Sequence, residues 1–356
     1  MLKFETSSSM QKKNQNLSFP YSEPPAFGEL TKITDGIFWL RLALPMLIDH
    51  VNVYLLEDDD GLTLIDTGLN SPKCRAAWKA ILRNKFDNKQ VKRIVITHHH
   101  PDHIGLLGWF AKNGNVEVLA SRSSWLLARM LYFDKQETPS REALDFWRNA
   151  GMDKAIFEEK KRAKPFNFSD GVSYFPLGFR SLNQGDKLFM GGRTWKVEIG
   201  QGHAPDHVTL WCLDSPIVFS GDQVIPGISS NLGVYPTEPL SDTVGLWLES
   251  CKSFLKIANE DQLVLPGHKL PFYGLPSRLK QLIENHIQAL DRIENELSKR
   301  KCTAVDLFHV IFRRQIDKSE YGLALAEAVG HINYFRNRNM VSCTKRHDGA
   351  ILFCMK

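Results

Sequence analysis

Five times along this chain a short apolar, β-rich run leads into a histidine or an aspartate. Asp66 follows Leu62-Thr-Leu-Ile, a histidine cluster follows Ile94-Val-Ile-Thr, and His203 comes after Trp195-Lys-Val-Glu-Ile. Asp222 follows Ile217-Val-Phe-Ser-Gly, and His268 follows Leu263-Val-Leu-Pro-Gly. Loops at the carboxyl ends of strands are where α/β folds gather functional groups, because a rigid sheet fixes the loop roots. The pattern therefore asks for a fold that sends five such loops to one cleft.

The densest of these sites is THHHPDH, residues 97–103, which contains HxHxDH as His98, His100, Asp102 and His103. With 12 histidines in 356 residues, so tight a group is not a compositional accident. Imidazole nitrogens and carboxylate oxygens bind zinc at about 2 Å, and a catalytic zinc keeps about three protein ligands and one open position. Four candidates within one loop exceed the need of a single ion, so two ions sharing the loop is the economical reading. His99 cannot face the same way as both its neighbours and is expected outside the ligand set.

The rest of the chain frames these loops. Residues 1–18 read as a polar, disordered tail. Strand-like runs at Gly36–Leu42, Asn52–Leu56 and Leu62–Ile65 precede a helix over Pro72–Phe86, with Asp60-Gly61 as a hairpin turn between the second and third. Residues 121–165 read as an inserted helical cap. Strands follow at Thr194–Ile199, Val208–Cys212, Ile217–Phe219 and Leu263–Leu265, with helices over about 241–257 and 276–299. After Lys299 come two short helices and a strand pair turning at His347-Asp-Gly349, the order of a small winged-helix unit.

In order, LIDTG, THHHPDH, GHAPDH (202–207), FSGD (219–222) and PGH (266–268) resemble the motifs of the metallo-β-lactamase superfamily over about residues 28–274. The resemblance implies an α+β fold: a four-layer αββα sandwich with a helical insert and a small C-terminal winged-helix domain. Its domains would be 19–274, the metallo-β-lactamase domain, and 275–356, a linker helix and winged-helix-like unit. It also implies the ligand set. His98, His100 and His203 would hold one metal, Asp102, His103 and His268 the other, and Asp222 would bridge them. Asp66 and His207 are expected as orienting residues behind the ligands.

The cofactor expected is a pair of divalent ions, zinc first and manganese or iron as alternatives. A metal-bound hydroxide would attack the substrate, with Asp102 carrying a proton and Tyr235 donating to the developing oxyanion. The sequence lacks the HxExD motif of the iron flavoproteins of this fold. The interval from Asp222 to His268 is too short for the insert of the RNA- and DNA-processing subclass. Both absences point to small-molecule hydrolysis. The C-terminal part is similar to the extension of β-lactamase-like protein 2. That similarity favours the hydroxyacylglutathione hydrolase-like branch and a thioester or carboxylic ester substrate. An endoribonuclease is the rival reading and a lactonase the third; β-lactam turnover is not expected. The insert's Trp125, Tyr132, Phe133, Phe146 and Trp147 would suit a lid over an apolar acyl group, or ordinary packing.

Bulk properties exclude little but agree. A net charge of +5, from 45 basic and 40 acidic residues, demands no polyanionic partner. The helix from Tyr321 to Arg336 carries basic residues only at its end, unlike a nucleic-acid reader, so nucleic acid is not the expected partner and a dimer contact or packing role is favoured. Six scattered cysteines without a CxxC pair suggest reduced thiols, and the lack of a signal-like or membrane-length apolar run suggests the cytoplasm, with no membrane partner. A homodimer stays open.

Overall fold

The computed structural model describes residues 17–112 and 115–356. Most of the expected polar tail lies outside the described residues. Its last two positions are ordered into the fold: Leu17 packs on the core, and Ser18 forms a β-bridge with Tyr273.

Two sheets form the centre. The larger has seven strands in sequential order: β1 (Leu30–Thr34), β2 (Ile37–Ala43), β3 (His50–Asp58), β4 (Gly61–Ile65), β5 (Val91–Val95), β6 (Glu117–Ser121) and β7 (Arg180–Leu182). The smaller has five: β8 (Lys187–Met190), β9 (Arg193–Gly200), β10 (His207–Cys212), β11 (Ile217–Gly221) and β12 (Leu263–Pro266), in the order β12-β11-β10-β9-β8. The period-two alternation of strand side chains then dictates the layers. Ile37, Trp39, Tyr54 and Leu56 face inward and meet Trp195, Val197, Leu210 and Phe219 of the other sheet. The alternate residues Leu40, Leu42, Val53 and Leu55 face outward and share a core with Trp78 and Ile81 of the helix Pro72–Lys85. On the far side, Trp211, Val218 and Val264 pack with Trp247 and Phe254 of the helix Thr243–Leu255 and with Leu279 and Leu282 of the helix Leu275–Lys299. Helix, sheet, sheet, helix is the αββα sandwich.

Strands β1, β6, β7 and β8 were not legible in the sequence. They are short, and β1, β7 and β8 lie at sheet edges, where one neighbour supplies the ladder and little burial is asked of the side chains.

Strand direction gathers the functional loops at one end. β4 runs parallel to β5, and β11 parallel to β12. β10 is antiparallel to both β9 and β11, so β9 points the same way as β11. The two sheets are stitched together at that end by Asn52. Its side chain accepts from Trp39 Nε1 (2.9 Å) and donates to the carbonyls of Pro266 (3.0 Å) and Lys269 (2.7 Å).

The insert folds as three helices, Arg122–Phe133, Arg141–Asn149 and Lys154–Arg162. Two of its aromatics serve packing and not a lid. Trp125 is buried and stacked on Phe179 at 4.7 Å, and Phe146 is buried in the core that includes the C-terminal residues. Phe133 is the aromatic of the insert that stands open to solvent.

The C-terminal elements are a 3-10 turn (Val305–Leu307), the helices Phe308–Phe312 and Tyr321–Asn337, and the hairpin β13 (Val341–Lys345) and β14 (Ile351–Met355). The helix Leu275–Lys299 is no free linker, because its first half is a core layer of the sandwich. Insert and C-terminal unit are also joined directly: Val305 N–H donates to Ala150 O at 3.1 Å, and Asp153 N–H to the Tyr321 hydroxyl at 3.2 Å.

Replacing Asn52 by leucine leaves the Trp39 indole N–H and the Lys269 carbonyl without this partner, while Pro266 O keeps the Tyr54 hydroxyl at 2.8 Å. Each buried orphan costs on the order of 1–3 kcal/mol, so the variant is expected to lose roughly 3 kcal/mol in urea unfolding with an unchanged m value. A loss below about 0.5 kcal/mol would show that this bond set does not hold the sheets together.

Candidate metal centre

The loops at the common end bring all seven expected donors into one pocket. Three overlapping trios of donor atoms lie within 4.8 Å of one another: His98, His100 and His203; His98, His103 and Asp222; and Asp102, His103 and His268. Asp222 sits between the two outer trios. Its Oδ1 is 3.4 Å from His103 Nε2, and its Oδ2 is 3.6 Å from His203 Nε2 and 3.1 Å from His268 Nε2. Asp102 Oδ2 lies 3.6 Å from His103 Nε2 and 3.4 Å from His268 Nε2.

These separations test whether a cation fits. Ligands bound to zinc at about 2.0–2.1 Å in a tetrahedron stand roughly 3.3 Å apart, which is the spacing found here. Three of the donor atoms also lack other partners: His103 Nε2, His203 Nε2 and Asp222 Oδ1 are buried with no hydrogen bond. Buried polar atoms left unpaired are costly, and a divalent ion would satisfy them together.

Outer contacts fix four of the five imidazoles with Nδ1 protonated and Nε2 facing the pocket, whereas His100 turns its Nδ1 to His98 Nε2 at 2.9 Å. His203 Nδ1 donates to Asn231 O (2.9 Å), and His268 Nδ1 to His50 O (2.6 Å). Both acceptors are backbone carbonyls, which cannot donate. His103 Nδ1 is 2.8 Å from Asp66 Oδ2, and Asp66 also accepts from Thr97 N–H (2.8 Å) and the Thr97 hydroxyl (2.7 Å). Having spent its proton on Asp66, the Thr97 hydroxyl accepts from His98 Nδ1 at 3.0 Å. His207 Nε2 accepts the Asp222 amide (3.1 Å), and its ring stacks on His98 at 4.6 Å.

Backbone strain is concentrated here. Asp66 (φ 62°), Asp206 (φ 46°) and Lys269 (φ 69°) occupy the left-handed region although they are not glycines. Gly221 shares that region (φ 48°), and a Cβ there would come within 2.6 Å of the His207 ring. The glycine of FSGD is thus fixed by a close approach as well as by its φ.

Electrostatics divide the histidines. Burial holds His98 and His100 well below the ordinary imidazole range, helped by the other imidazoles around them. Burial acts on His103 and His268 too, but the carboxylates of Asp222 and Asp102 overcome it. His103 is held well above the ordinary range and His268 is pushed up to about 10. Asp222 answers in the opposite sense: burial works against its charge, yet His268 and His103 hold it well below the carboxylate range. Without cations the pocket is a cluster of ion pairs.

Two residues stand apart from the donors, His99 as expected and Tyr235 against its expected role. His99 is buried beside His100 with its Nδ1 unpaired, and it belongs to none of the three trios. Tyr235 is 46% exposed on the loop after Asp222, and no hydrogen bond among the described residues ties it to the donors. Three residues were missed from the sequence. Thr97 stood inside the quoted motif without a role. His50 orients His268 through its carbonyl and caps the Lys269 amide through Nε2 at 2.9 Å. Asn231 carries no sequence signal, since the contact comes from its backbone. Asp206 accepts from Ser123 on the insert and from Gln201 Nε2 (2.6 Å), so it ties the insert to the His203 loop.

Residues 47–268 match the family model of the metallo-beta-lactamase superfamily, and residues 290–356 match that of the metallo-beta-lactamase-like C-terminal domain. The chain belongs to the metallo-beta-lactamase superfamily. A crystal structure of a beta-lactamase domain protein from Burkholderia ambifaria is similar with a TM-score of 0.89 at 30% identity, covering 97% of this chain and 100% of that one. A probable metallo-hydrolase of Bacillus subtilis, YqjP, is 24% identical over 315 residues, 84% of this chain and 92% of its own. The human acyl-coenzyme A thioesterase MBLAC2 is 27% identical over 267 residues, 71% of this chain and 84% of its own. Together with the His/Asp cluster, these relatives support a metal-dependent hydrolase. No helix among the described residues is long and apolar enough to cross a membrane.

Metal binding requires neutral imidazoles, so the raised His103 and His268 must give up protons. Loading the apoprotein with zinc at pH 7 is expected to release about two protons, measured by calorimetry in buffers of different ionisation enthalpy. Uptake without proton release would mean that the ion pairs with Asp222 and Asp102 do not exist in solution.

Proposed function

We propose that this protein hydrolyses a thioester of a small molecule, using two divalent cations, zinc in the first instance, held by His98, His100 and His203 on one side and Asp102, His103 and His268 on the other, with Asp222 between. The observation that carries the two-cation reading is the meeting of the trios at Asp222, whose Oδ1 has no other partner. Choice of substrate rests on the acyl-coenzyme A thioesterase relatives, of which the matched region spans 84%. We place the chain in the hydroxyacylglutathione hydrolase-like and β-lactamase-like protein 2-like branch on the same ground.

Cations in this pocket would supply Lewis acidity and an activated water near neutral pH. The chain supplies the rest. Asp66, Thr97 and the carbonyls of His50 and Asn231 lock four of the five imidazoles, so these donors need no rearrangement when the substrate's charge changes. Asp102 has the most open carboxylate of the donor set, its side chain 18% exposed against 8% for Asp222, and is placed to carry a proton to the leaving group. Tyr235, half-exposed on the following loop, is the candidate donor to the substrate oxygen.

The C-terminal unit serves packing in this reading and not nucleic-acid readout. Ala324, Leu325, Ala328, Ile332 and Phe335 of the helix Tyr321–Asn337 are buried in the core, and that leaves little of the helix to enter a groove. Six unpaired cysteines support a reducing, cytoplasmic setting.

Zinc-loaded protein offered acyl-coenzyme A thioesters, lactones and single-stranded RNA is expected to turn over thioesters. His98→Ala should bring that rate to the uncatalysed background. RNA cleavage that His98→Ala abolishes, with no thioester turnover, would replace this reading with the endoribonuclease one.

A further inference from the structure

The outer contacts of the donors do not all come from the sandwich. His98 and His103 are fixed by Thr97 and Asp66, and His268 by His50, all at the ends of sheet strands. His203 is different. Its Nδ1 donates to the carbonyl of Asn231, in a stretch after Asp222 without regular secondary structure. A carbonyl in such a loop holds a direction only if something else holds the loop.

The C-terminal helix Tyr321–Asn337 does so. Asn231 Nδ2 donates to Glu327 Oε2 at 2.8 Å and to Leu323 O at 3.3 Å, and Val234 N–H donates to Ala326 O at 3.0 Å. The Thr243 hydroxyl holds Leu232 O at 2.7 Å. Gly330 lets the helix come this close, since a Cβ there would meet Leu232 O at 2.5 Å. The chain of contacts thus runs from Glu327 through Asn231 to His203.

We propose that Glu327, acting through Asn231, is a positioning residue for the cation held by His98, His100 and His203, so that the C-terminal unit sets the affinity of one half of the centre. The proposal rests on the two-cation reading above. It predicts an asymmetry, because the outer contacts described for the Asp102, His103 and His268 side do not pass through this helix.

The test is Zn2+ titration of the full-length apoprotein against a chromophoric chelator, resolving two equivalents, with thermal unfolding of the metal-free protein in parallel. Asn231→Asp replaces the amide donor by a carboxylate facing Glu327. It is expected to weaken one equivalent about ten-fold or more, the lower end for an outer contact, and to leave the other unchanged. Glu327→Gln keeps an acceptor oxygen and should bind as the wild type does. The double variant Asn231→Asp with Glu327→Gln reverses the direction of the hydrogen bond and should restore the weakened equivalent. Should Asn231→Asp not fold, Glu327→Ala removes the acceptor without adding charge and is read in the same way. Wild-type affinity at both equivalents in the disrupted variants, equal weakening of both, or a double variant no better than Asn231→Asp would each overturn the proposal. A wild-type protein that takes up no zinc would overturn the two-cation reading instead.

Discussion

The structure depends on burying mutually repelling and attracting groups in one place. Five histidines and two aspartates share a pocket from which water is largely excluded, and burial alone would strip the charge from all of them. The pocket survives because Asp222 and Asp102 stand within 3.1–3.6 Å of imidazole nitrogens, and because the donor separations suit a cation. Breaking any one member of such a cluster leaves the others uncompensated.

Precision comes from the next ring outward. Asp66 illustrates it: its two oxygens accept from Thr97 twice and hold His103, and the residue itself sits at φ 62° to do so. The left-handed backbone at Asp66, Gly221 and Lys269 shows that loop roots are bent to aim side chains, with the sheets supplying the rigidity that keeps them bent. Asn52 fastens the two sheets where these loops emerge, so its bonds to the Pro266 and Lys269 carbonyls bear on His268 as well as on the fold.

Insert and C-terminal unit are parts of the same body. Phe146, Ala150 and Met152 of the insert share a core with Tyr321, Leu325 and Phe335, and that core continues to Trp247 and Val264 beneath the smaller sheet. The insert reaches the His203 loop through Ser123 and Asp206, while the C-terminal helix reaches it through Glu327 and Asn231. One ligand loop is therefore braced from two sides by segments that the sandwich itself does not require.

The sequence by itself singled out the seven side chains that meet in the pocket, because metal ligation restricts residue types so severely that THHHPDH and its four companion motifs stand out without any fold. The four layers it gave only through the resemblance those motifs carry, and the faces taken by Trp39, Leu40, Tyr54 and Leu55 stayed open, since side chains of both faces are large and mostly apolar. What only the tertiary structure decided is whatever depends on backbone atoms and on distant neighbours. Asn231 and His50 orient ligands through carbonyls that every residue carries, so no residue type betrays them. Edge strands β1, β7 and β8 draw their order from one neighbour and leave little pattern. Trp125 and Phe146 look the same in a sequence whether they cover a substrate or fill a core. Burial is a property of the assembled fold, and it placed both inside.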